Sequence, residues 1–95
     1  MANLELSNRA LEALNQFEEK AYDQTMAALV EIELNPAIGK LVHPMQLLLE
    51  PHPPDTLVYR VKIQRSPGEW LFIYYLYSTH ENKVSVAQIS RAHIL

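Results

Sequence analysis

Three closely spaced β-rich runs constrain the C-terminal half of this chain more than any other feature. Residues 56–65, 70–78 and 83–91 are rich in Val, Ile, Tyr and other β-formers, and only Ser66-Pro67-Gly68-Glu69 and Thr79-His80-Glu81-Asn82 separate them. Breaks of about four residues are too short for a crossover, so consecutive runs must pair antiparallel. The middle run, Trp70-Leu71-Phe72-Ile73-Tyr74-Tyr75-Leu76-Tyr77, shows no polar alternation. That predicts a central strand covered on both faces, its aromatics serving core packing before base stacking.

The first forty residues read differently. Asn3-Leu4-Glu5-Leu6 alternates polar and apolar, as a short edge strand does, and Ser7 is a good helix N-cap. Ala10, Leu11, Leu14 and Phe17 recur at helical spacing behind it. In a second helix Tyr22, Met26, Leu29, Val30 and either Glu33 or Leu34 trace the inner edge, and Asn35-Pro36 ends it. The short connection makes the two an antiparallel hairpin. Residues 37–41 form a turn in which Gly39 supplies a permissive backbone. Residues 45–49 read equally as a short apolar strand or a packed loop, and EPHPPD at 50–55 reads as an exposed turn. The expectation is a single domain over residues 1–95. Its class is α+β, a short N-terminal strand and helical hairpin packed on a C-terminal antiparallel β-sheet.

Composition removes several kinds of chemistry. There is no cysteine, hence no disulfide and no thiolate. With two glycines, no phosphate-cradling loop can be built. His43 and His52 precede prolines, His80 sits in a turn, and none has metal-ligand spacing, so neither a metal nor a cofactor is expected. The start of the chain lacks a basic and apolar leader, and LFIYYLY is too short to span a bilayer; the expected location is cytoplasmic, away from membranes.

Charge is distributed unevenly. Residues 1–50 carry eight acids against three bases, and residues 51–95 three acids against five bases. A mildly basic half points to a polyanion partner. Strand alternation puts Arg60, Lys62 and Gln64 on one face, with Tyr59, Val61 and Ile63 toward the core. Strict alternation in the last run groups Arg91 with Lys83, Ser85, Ala87 and Ile89. If that face is the one bearing Arg60 and Lys62, three cations converge. Arginine offers a planar fork and lysine a point charge to phosphate oxygens. Such a set could steady the charge that builds when a ribose 2′-hydroxyl attacks its own phosphate. His93, two residues beyond Arg91, is the candidate proton carrier. A solvated sheet face explains the same spacing.

The succession NPAIGK, YRVKIQRSPGEWLFIYYLY and VSVAQISRAH, behind a strand and helical hairpin, resembles the RelE/ParE superfamily of type II toxin–antitoxin toxins. The resemblance implies that Arg60 and Lys62 lie in the cationic segment used by RelE-like toxins to cut mRNA in the ribosomal A site. It further implies that Arg91 matches the arginine closing the last strand and that His93 lies near an acid–base position. Leu71 stands where the family motif has arginine, and the sequence pI of about 5.7 is low for such an RNase. Three activities are therefore expected alternatives. They are a metal-independent, ribosome-dependent mRNA endonuclease, a ParE-like inhibitor of DNA gyrase, and a non-catalytic member that only binds antitoxin. A cognate antitoxin protein is the partner common to all three.

Overall fold

The computed structural model describes residues 1–42 and 56–93, and over them the α+β architecture is realised. The chain runs β1 (Asn3–Leu6), α1 (Asn8–Asn15), α2 (Glu19–Leu34), β2 (Lys40–Leu41), β3 (Thr56–Ser66), β4 (Glu69–Ser78) and β5 (Lys83–His93). His43, His52, the 45–49 stretch and the proline-rich 50–55 turn lie outside the described residues.

The five strands form one sheet in the order β1-β5-β4-β3-β2. The three C-terminal strands make the expected antiparallel meander, while β1 joins β5 in parallel, so the sheet is mixed. Ser7 holds this corner. Its hydroxyl accepts from Ala10 N–H at 3.1 Å as the α1 cap and donates to the carbonyl of Ala87 at 2.9 Å. The β3–β4 hairpin is tighter than the sequence implied: Ser66 pairs with Glu69, leaving Pro67-Gly68 as the turn, with Gly68 at φ 80°. Proline followed by a positive-φ glycine is the chemistry of a type II turn.

The core lies between the helices and one face of the sheet. Leu71, Ile73 and Tyr75 of β4 are fully buried there, as are Val84 and Val86 of β5. On the opposite face Trp70, Phe72, Tyr74 and Leu76 are only half-buried. The expectation of a strand covered on both faces is thus corrected: the run alternates in burial, and apolar residues on both sides hide the alternation in the sequence.

Helix α2 buries Leu29 as expected but otherwise turns a different face inward. It buries Ala21, Thr25, Ala28, Leu29 and Ile32, while Tyr22, Met26, Val30 and Leu34 are 37–63% exposed. The small side chains let the helix approach the sheet closely, which dense packing favours over a band of larger residues. On α1 the reading holds for Ala10 and Leu14, which are buried, and for Phe17, which packs against the core; Leu11 is 41% exposed.

Tyr75 secures the segment between α2 and β2. Its hydroxyl donates to the carbonyl of Pro36 at 2.7 Å and accepts from Gly39 N–H at 3.1 Å, and its ring stacks on Tyr59 with centroids 5.4 Å apart. Burial pushes this phenol up to about 12. The neutral form is thus favoured by folding, and its contribution is intact below the unfolded pKa of about 10. We predict that stability falls by about 2–3 kcal/mol more than in Tyr75→Phe as pH rises from about 10 to about 12, read by denaturant melts at each pH. Parallel curves for the two proteins would contradict this.

Candidate functional site

Around Arg60 and Lys62 the open face of the sheet is built by cross-strand registry. Arg60 stands opposite Tyr74 and Lys62 opposite Phe72, so each cation has an aromatic residue on the adjoining diagonal. Arg60 lies over the Phe72 ring at 5.8 Å from the centroid, and Lys62 over Trp70 at 5.5 Å. A ring face attracts a cation without neutralising it. The face is graded in exposure: Val58 is buried at 2%, Arg60 is half-buried, and Lys62 and Gln64 are exposed. Neither cation makes an ion pair among the described residues, and Arg60 Nε is buried without an acceptor. An anion supplied from outside could complete this arrangement.

Arg91 does not join them. The ladder between β4 and β5 shifts register, Tyr74 pairing with Gln88 but Tyr75 with Val86, so Ala87 is an extra residue. A bulge of this kind inverts the alternation beyond it. Val84 and Val86 face the core before it, and Ile89 and Arg91 take the same side after it, opposite Ile73 and Leu71. The carbonyl of Ala87 accepts from the Ser7 hydroxyl. The proposed convergence of three cations is therefore corrected, because it assumed unbroken alternation along 83–91.

On the helix-bearing side Arg91 enters a network of opposite charges. Its guanidinium bonds Glu69 and lies 3.6 Å from Glu18, the residue preceding α2. Arg65 joins the same two carboxylates at 2.6 Å (Glu18) and 2.9 Å (Glu69), and its Nε donates to Gln24 at 3.0 Å. The Arg91 hydrogen bond, aided by the charge of Arg65, holds the Glu69 carboxyl below its usual range. Both arginines are thus neutralised. The backbone of His93 lies in register with Glu69, at this same end of the sheet.

A cleft of about 270 Å³ opens beside β3, between Ala28 and Glu31 of α2 and the sheet margin carrying Ile38, Lys40, Arg60 and Lys62. Lys40, in register with Arg60, brings a third cation to the margin. The sequence reading missed it because β2 could not be recognised as a strand. It also missed Phe72 and Trp70 as seats for the cations, although the diagonal of a β3–β4 hairpin would have indicated them. Among the described residues no cluster of histidine, cysteine and carboxylate side chains could hold a metal, and no helix is long and apolar enough to cross a membrane.

Comparison with solved structures identifies the architecture. The isolated E. coli RelE toxin superposes with a TM-score of 0.72 at 24% identity, over 100% of this chain and 88% of that one. The fold is that of RelE. The intact E. coli RelBE toxin–antitoxin complex matches at 0.68 and 21% identity, covering 95% of each chain. A double arginine-to-alanine mutant of E. coli RelE in the free state matches at 0.69 and 24% identity, over 95% of this chain and 83% of that one. No protein-family profile and no curated protein matches the sequence. The RelE fold is thus reached here through a sequence that shares about a quarter of its residues with the solved examples.

Proposed function

We propose that this protein is the toxin of a type II toxin–antitoxin pair, acting in the cytoplasm, and that Arg60 and Lys62 engage RNA phosphate on the open face of the sheet. The carrying observation is the division of the cations. Arg65 and Arg91 are bound to carboxylates, whereas Arg60 and Lys62 rest on aromatic rings and form no ion pair among the described residues. Charged groups kept near a low-dielectric surface and left unneutralised favour an incoming polyanion.

The reaction this supports is ribosome-dependent cleavage of mRNA without a metal. The ribose 2′-hydroxyl attacks the adjacent phosphorus, the bond to the 5′-oxygen breaks, and a 2′,3′-cyclic phosphate and a 5′-hydroxyl result. One proton leaves the 2′-oxygen and one reaches the departing 5′-oxygen. Arg60 and Lys62 offset charge on the phosphoryl oxygens; His93, the expected carrier of protons, follows Arg91 in strand phase and would have to reach round the end of the sheet. Arg91 could act only after leaving Glu69 and Glu18.

That restraint on Arg91 favours a second reading, a member that binds antitoxin without cutting RNA. Tightly induced expression in a bacterial host, with growth followed beside 5′-end mapping of an abundant mRNA, separates the two. Growth arrest with new codon-phased ends is the expected result. Arrest with intact mRNA would move the target to DNA gyrase, and unimpeded growth with well-folded protein would leave antitoxin binding alone.

A further inference from the structure

Helix α2 presents a row of large apolar side chains to solvent. Tyr22, Met26, Val30 and Leu34 recur every four residues and are all exposed, while Ala21, Thr25, Ala28, Leu29 and Ile32 hold the helix to the rest of the molecule. Side chains four apart stand one above another, so these four form a continuous ridge about 18 Å long. The helix is already anchored by its other face, and an apolar ridge left outside in this way marks a contact surface.

The charges beside the ridge define what fits it. The adjoining row, Glu19, Asp23, Ala27 and Glu31, is exposed along its whole length, and Glu33 stands on the other flank. Lys20 is the single cation of α2 and lies one row further away. These four carboxylates enter no ion pair among the described residues, unlike Glu18 and Glu69. A second copy of α2 would set acid against acid in either orientation, and a nucleic acid or an anionic membrane would be repelled. Ala27 leaves a gap in the acidic row beside Met26 and Val30. A ridge of four-residue spacing packs into the matching groove of another helix at about −50°, and a small residue at the crossing lets the two axes approach.

We propose that the exposed ridge of α2 docks a basic amphipathic helix of a partner protein, its apolar face on Tyr22, Met26, Val30 and Leu34 and its cations on Glu19, Asp23 and Glu31. Apolar burial supplies the affinity, and the flanking carboxylates set the sign of the partner and its register. The ridge lies on the side of α2 opposite its buried residues, so a docked helix leaves Arg60 and Lys62 on the open sheet face uncovered. The contact is a tether that adds to whatever that face binds, and it stands or falls independently of the RNA reading.

The probe is a capped peptide of about 18 residues, long enough to form a helix in water, with leucine along one face and arginine flanking it. Added to the full chain, isotope-labelled for amide NMR, it should shift residues 19–34 and leave 60–64 in place. A peptide of the same composition in scrambled order, and one with glutamate for every arginine, should each bind at least about tenfold more weakly. Met26→Ser combined with Val30→Ser, both at exposed positions, should cost a similar factor at a nearly unchanged melting temperature. Asp23→Arg should weaken the basic peptide and strengthen the acidic one. Equal binding of the three peptides, shifts on the sheet in place of α2, or no binding at millimolar peptide would each overturn the proposal. So would a dimer in sedimentation that the Met26→Ser and Val30→Ser pair dissolves, because the occupant would then be a second copy.

Discussion

Replacing both Arg60 and Lys62 by glutamine is expected to abolish RNA binding and growth arrest while leaving the fold intact. Each cation can make a charge-assisted contact with phosphate of about 1.5–3 kcal/mol. Loss of both should weaken affinity by about 10²–10⁴-fold and make the logarithmic salt dependence shallower by about 1.4, the value for two contacts on a single strand. The cost to stability should be small, because the side chains lost are two cation–aromatic contacts of about 0.5–1 kcal/mol each on a partly exposed face. Filter binding to a short single-stranded RNA across a salt series, with circular dichroism as the control for folding, decides the matter. A double variant that binds and arrests growth like the parent would remove these two residues from the site. Arg65→Gln is the appropriate comparison: its guanidinium is already held by Glu18 and Glu69, so the salt dependence should not change.

Gly39→Ala should produce the largest loss of stability from a single methyl group. A Cβ there would stand 2.8 Å from the Tyr75 hydroxyl, 3.0 Å from the Arg60 carbonyl oxygen and 3.1 Å from Tyr59 Cβ. None of the three can give way freely. The hydroxyl is bonded to Pro36, its ring is stacked on Tyr59, and Arg60 is paired to Lys40. Overpacking of this kind costs about 1–3 kcal/mol. It would also push β2 from β3, disturbing the margin that holds Lys40 and Arg60. Urea melts of Gly39→Ala and Tyr75→Phe would show the coupling, since both act on one junction and their effects should not add. A Gly39→Ala protein as stable as the parent would mean that the junction relaxes without cost. The role of Gly39 thus differs from the permissive backbone expected of it. Gly68, not Gly39, is the glycine at positive φ; Gly39 is required for space.

Much of the fold was legible because local signals act over a few residues. Ser7 caps α1 as its position suggested, Asn35-Pro36 ends α2, and the short breaks around 66–69 and 79–82 force β3, β4 and β5 into a meander. The separation of Arg60 and Lys62 from Tyr59, Val61 and Ile63 also followed from strand period alone, and the burial of Tyr59 agrees with it. The inward face of α2 was not legible. Its apolar residues extend around more than the buried side, so periodicity admits more than one orientation, and close approach to the sheet selects Ala21, Thr25 and Ala28.

Arg91 shows the same division at the candidate site. Sequence alternation assigned it a face, but one inserted residue at Ala87, its carbonyl met by Ser7 from eighty positions away, reverses that assignment. Nothing local to residues 83–91 announces the bulge, because its partners are the β4 ladder and the start of α1. The sequence alone determined the strands, the α1 cap and the face that carries Arg60 and Lys62, since each depends on residues adjacent along the chain. Which cations remain unneutralised depends on packing between distant segments. Glu18, Arg65, Glu69 and Arg91 meet through contacts between distant elements, whereas Arg60 and Lys62 come to rest on aromatic rings.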